Sequence, residues 1–117
     1  MIEFADFQKV EMKTAKVAAV DVHPNADKLY VVKLDCGAGE TRTVVAGIRP
    51  FYAPEALLGK TVICVMNLAP RPLRGVESQG MILAVHDGDK VKVLTVDTAM
   101  KRLFQAVQDD LPEDPVD

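Results

Sequence analysis

The chain has no serine–histidine–acid grouping, no phosphate-cradling GxxxxGK loop and no cluster of residues at metal-ligand spacing. Those absences remove the visible apparatus of nucleophilic catalysis, nucleotide hydrolysis and metal binding, so neither an enzyme nor a cofactor is expected. Cysteine is scarce: Cys36 and Cys64 are too far apart to form a recognisable ligand pair and have no histidine partner nearby. Both read as plain reduced thiols, Cys64 as a small buried hydrophobe. No apolar run approaches about 20 residues, and no cationic–apolar–small pattern opens the sequence, so neither a membrane helix nor a secretory signal is expected. The cytoplasm is the simplest location. Repeats, low-complexity tracts and linkers are missing too, and 117 residues suffice for one domain with a core of its own.

What is present is a globular balance, 49% hydrophobic and 26% charged, with a formal net charge of −3. The charge is unevenly spread. Residues 109–117, DDLPEDPVD, hold five acids and no base, which leaves 14 Lys and Arg against 12 acids, or +2, over residues 1–108. We therefore expect a mildly basic domain over 1–108, able to attract an anion locally, and a disordered, solvated acidic tail over 109–117.

Residues 9–23 open with Val10, Met12 and Thr14 alternating with Lys9, Glu11 and Lys13, which predicts a long, bent first strand. The turn formers HPNADK (23–28) end it. Residues 29–36 and 41–47, joined by GAGE, read as a hairpin, and YAPEALLG (52–59) as a short helix with Pro54 at its start and Gly59 as its stop. KTVICVMNL (60–68) is apolar on both parities, as a strand covered on both faces would be, and is the candidate central strand. Residues 79–85 and 90–96 supply further strands around an HDGD turn, and Met100, Leu103, Phe104, Val107 and Leu111 form one helical stripe. This order predicts an all-β, five-stranded OB-fold Greek-key barrel, with a short helix between strands 3 and 4 and a C-terminal amphipathic helix. In such a barrel the loops here numbered 23–28 and 69–78 flank the binding face.

The second of those loops, APRPLRG with Ser78 beyond it, has unusual chemistry for an acidic protein. Pro70 and Pro72 fix φ and lower the entropy lost on ordering, so Arg71 and Arg74 stand on a stiff support. Arginine presents a planar fork of donors to phosphate oxygens and stacks on exposed bases. Gly75 permits positive φ or close backbone approach, and Lys28 in the other loop supplies a third cation. The alternative is a solvated Pro/Arg connection with no ligand. Lys13 and Lys16 are equally open between binding-face cations and ordinary polar strand positions. His23 and His86, each beside turn residues, read as solvated or bonded within their turns.

DFQKVEMKTAKV, HPNADKLYVVKLDCG, RTVVAG, YAPEALLGKTV and NLAPRPLRGVESQGM occur in an order that resembles the structure-specific tRNA-binding domain family over residues 4–96. That family includes free-standing tRNA-binding proteins, the C-terminal or separate beta part of methionyl-tRNA synthetases, and endothelial monocyte-activating polypeptide II-like modules. The resemblance implies a usually dimeric OB fold that grips the outer corner of tRNA by shape and acts in trans without chemistry. It puts Lys28, Asn67, Arg71, Arg74, Ser78 and Met81 at tRNA-contacting or site-shaping positions, with Arg42 on the adjacent strand and Lys13 as further candidates.

Departures from the family pattern are local. Lys13-Thr14-Ala15 stands where Arg-Val-Gly is usual, and Ala69 and Pro72 where lysines are common. Two missing phosphate contacts would flatten the salt dependence by roughly 1.8 in slope. The 97–111 stripe, packed on its own barrel or on a partner subunit, replaces the family's usual extended ending. A rival reading comes from secretion-related chaperones of the same fold, which bind unfolded polypeptides; the Asn-Ala-Asp-Lys-Leu loop kept here favours tRNA.

Overall fold

The computed structural model describes residues 1–97; the helix expected on the Met100–Leu111 stripe and the acidic tail lie outside the described residues. After a single helical turn, α1 (Phe4–Phe7), the chain enters β1 (Met12–Val22), the longest strand among the described residues. Its first half pairs antiparallel with β4 (Thr61–Val65) and its second with β2 (Tyr30–Asp35), the two pairings overlapping at Lys16. A register shift between Val17 and Ala19 marks a β-bulge. An extra residue there bends the strand and resets which parity faces inward, so burial passes from Ala15 and Val17 to Val20. The predicted bend therefore coincides with one residue, Ala18, left out of the ladder.

β2 and β3 (Thr41–Ala46) form the predicted hairpin, closed through Gly37, Ala38 and Gly39, all at positive φ. α2 (Pro54–Leu57) follows, with its proline in the first turn and Leu57 buried in the core. The sheet order is β3-β2-β1-β4-β7, where β7 is Met81–Ile82. The central position belongs to β1, not to the 60–68 strand as the sequence suggested. Its eleven residues let β4 pair along the first half and β2 along the second.

Residues 69–78, expected as a loop, also differ. This is not a plain loop: β5 (Arg71–Leu73) and β6 (Val76–Ser78) pair around Arg74 and Gly75, at φ +55° and +92°. Two successive positive φ values are the signature of a type I′ hairpin turn. Arg-Gly is an uncommon filling, because only the glycine adopts that backbone without steric cost. β8 (Ala84–Asp87) and β9 (Lys90–Val93) make a third hairpin, largely exposed.

The barrel closes where β3 meets residues 78–80. Gln79 N–H donates to the Thr43 carbonyl at 2.8 Å, and the Gln79 side-chain oxygen accepts from Thr43 N–H at 2.8 Å. Ser78 Oγ accepts from Val45 N–H at 2.9 Å and donates to the Gly80 carbonyl at 3.0 Å. Gly80 must be glycine for space: a Cβ there would stand 2.9 Å from the Val65 carbonyl oxygen and 3.0 Å from Cys64 Sγ. Inside the closure lies a core of Ala15, Val17, Val32, Leu34, Val44, Val62 and Cys64.

Candidate nucleic-acid interface

The predicted site residues separate into two groups by what their side chains already do. Lys28, Arg71 and Arg74 are exposed and make no salt bridge among the described residues. Lys28 and Arg74 line one open cleft of about 420 Å³ with Ala26, Asp27 and Leu29. On the other side of the same turn, Arg71 lines a cleft of about 210 Å³ with Leu68, Leu73 and Met81. Met81 and Leu68 are each 47% exposed, so this second cleft joins a cation to an apolar shelf. That pairing suits a ligand with an anionic backbone and flat, weakly polar faces.

The second group is engaged within the fold. Asn67 accepts from Glu11 N–H at 2.8 Å and donates to the Lys9 carbonyl at 2.6 Å, stapling the chain ahead of β1 to the end of β4. Ser78 is 4% exposed and spends its hydroxyl on barrel closure. Arg42 donates to the Met66 and Gln79 carbonyls at 2.6 and 3.0 Å and pairs with Glu40 at 3.0 Å. Glu40 also approaches Lys13 Nζ at 3.7 Å, so one carboxylate offsets two of the candidate cations. Lys16 is exposed on β1.

Sequence reasoning missed three residues whose side chains bond to the loop and hairpin that carry the exposed cations. His23 is 3% exposed; its Nδ1 accepts from Asn25 N–H at 2.9 Å and its Nε2 donates to the Leu73 carbonyl at 2.9 Å. Arg49 donates to the Ala26 carbonyl at 3.2 Å, and Asn25 Nδ2 reaches the Arg74 carbonyl at 3.5 Å. The turn bond of His23 was readable from its neighbours. Its second bond, across fifty positions of sequence, carried no local signal. His86, on β8, is exposed.

The cysteines offer no chemistry. Burial first, then nearby Cys64 and Glu40, pushes the Cys36 thiol up to about 11, and burial raises Cys64 as well. Both are free and stay protonated thiols near neutrality. Among the described residues no His, Cys, Asp and Glu group could hold a metal, and no helix is long and apolar enough to cross a membrane.

Residues 12–103 match the family model described as "Putative tRNA binding domain". A methionine–tRNA ligase of Pyrococcus furiosus is 53% identical over 100 residues, 86% of this chain but 14% of that protein, so the chain spans about a seventh of such relatives. The crystal structure of a MetRS related protein from Pyrococcus horikoshii superposes with a TM-score of 0.78 at 35% identity, covering 86% of this chain and 92% of that one. A CsaA chaperone protein from Picrophilus torridus superposes at 0.79 with 28% identity, covering 86% and 94%. The all-β, OB-like barrel is thus shared with proteins nearly the same length as the described domain.

Arg74 sits in a left-handed conformation that costs an L-residue with a side chain about 1–2 kcal/mol. Replacing it by glycine relieves that strain, so Arg74→Gly should raise unfolding stability by about 1 kcal/mol in urea titration, an exposed cation being lost without destabilisation. An unchanged or lowered stability would mean that Arg74 has packing value outweighing the strain.

Proposed function

The chain belongs to the tRNA-binding domain family, and from that membership we propose that it is a non-catalytic module recognising the shape of tRNA, acting with or within a methionyl-tRNA synthetase in the cytoplasm. The observation that carries the reading is the trio Lys28, Arg71 and Arg74, exposed and free of salt bridges among the described residues, around one stiff hairpin. In this reading the three grip phosphates and Met81, with Leu68, offers a base or ribose an apolar shelf. Asn67, Ser78, Arg42 and Lys13 contribute mainly by shaping the frame that carries them. A binding module of this kind needs no cofactor, since nothing in its task breaks a bond.

The apolar shelf also supports a second reading, capture of unfolded polypeptide, which the CsaA likeness favours. The two readings separate by salt. Three phosphate contacts give log K against log[salt] a slope of about −2.7, and Arg71→Ala/Arg74→Ala should flatten it to about −0.9. We expect mixed tRNA to bind more tightly than an RNA duplex of equal charge, and the double substitution to abolish that preference. Equal, weak binding to both RNAs, untouched by the substitutions, together with suppression of aggregation of a model unfolded protein, overturns the tRNA reading.

The family's dimeric habit is proposed for this chain as well. Ile2 and Phe4 are 71% and 55% exposed, apolar surface at the N-terminal turn suited to a second copy. Sedimentation equilibrium at micromolar concentration should return the mass of two chains; the mass of one chain removes the proposal.

A further inference from the structure

We propose that His23 is a positioning residue, an imidazole strap that fixes the β5–β6 hairpin against the 23–28 loop and so sets the spacing of Lys28 and Arg74. The inference rests on the tRNA-binding reading and deepens it. A two-stranded hairpin of three-residue strands is marginal by itself and needs tertiary anchors. At the Ser78 end the anchor is barrel closure. Near the turn, Leu73 immediately precedes Arg74, and its carbonyl accepts from His23 Nε2.

The ring suits the task because its two nitrogens point to different partners. Asn25 N–H donates to Nδ1, which makes Nδ1 the acceptor and leaves the proton on Nε2 for Leu73. Burial of His23 makes both bonds costly to lose. The backbone of His23 adds a third tie, its N–H donating to the Leu29 carbonyl at 3.1 Å and closing the loop that carries Lys28. One residue therefore holds both cation-bearing segments, and the Asn25 contact to the Arg74 carbonyl runs parallel to it. Preorganising two charges before the ligand arrives spares the ordering cost on binding.

Two substitutions each spare one ring bond. In His23→Asn a short side chain keeps the local acceptor for Asn25 N–H, as in an Asx turn, but falls short of Leu73. In His23→Gln the longer amide reaches Leu73 and gives up the turn bond. In the free protein, His23→Asn should lower the backbone order parameters of Arg74 and Gly75 from about 0.85 to below about 0.6, whereas His23→Gln should leave them near wild type. With tRNA, His23→Asn should weaken binding about ten-fold and flatten the salt slope by roughly one phosphate contact, about 0.9; His23→Gln should restore both. Order parameters and binding unchanged in His23→Asn overturn the proposal, as does equal impairment in both variants with loss of global stability. A wild-type chain without preference for tRNA would sink the functional reading instead, and the strap would then stand or fall on the Arg74 order parameters alone.

Discussion

Everything on the binding side of this barrel depends on how its last seam is closed. A regular ladder between β3 and the 78–80 segment would have to run through a sharp change of direction, because the chain has just left one hairpin and is about to form β7. Side chains take over the work of the ladder: Ser78 and Gln79 satisfy the Val45 and Thr43 N–H groups, and Arg42 gathers the Met66 and Gln79 carbonyls. Buried backbone donors left without partners would each cost about 1–3 kcal/mol, so this seam tolerates little substitution. Gly80 completes it by leaving room for the Val65 carbonyl.

The seam also explains why cations of similar appearance have different roles. Arg42 and Lys13 share Glu40 and face the frame, which fixes them and offsets their charge. Lys28, Arg71 and Arg74 stand outside it, on loop and hairpin, where water or a ligand's oxygens must satisfy them. The strained backbone of Arg74 fits this division: a conformational cost is retained at a position that displays an exposed cation. The hairpin is thus held at both ends, by Ser78 at the seam and by His23 beside the turn.

The strands were legible because alternation and β-branched runs report burial directly, and the Gly-rich 37–40 and Pro54–Gly59 signals located the first hairpin and the short helix. The 71–78 hairpin was hidden by its turn: Arg-Gly lacks the Asn-Gly or Asp-Gly signature, and two prolines nearby argue for a loop. The central strand was misassigned because an unbroken apolar run reports coverage on two faces, whereas the place in the sheet depends on which strands pair, and β4 has β7 beyond it while β1 has two strands on either side. Asn67 and Ser78, expected to contact tRNA, bond within the frame, and a polar residue that satisfies the backbone and one that meets a ligand look alike in sequence. Contacts such as His23 with Leu73 depend on chain reversal and have no local trace at all.

If tRNA seats on the cationic hairpin and its neighbouring loop, amide chemical shifts of isotope-labelled protein will move there when tRNA is added. The largest changes are expected at Lys28, Leu29, Arg71, Arg74, Gly75 and Met81, with β8 and β9 little affected. Changes confined to the β8–β9 hairpin, or spread evenly over the barrel, would contradict it.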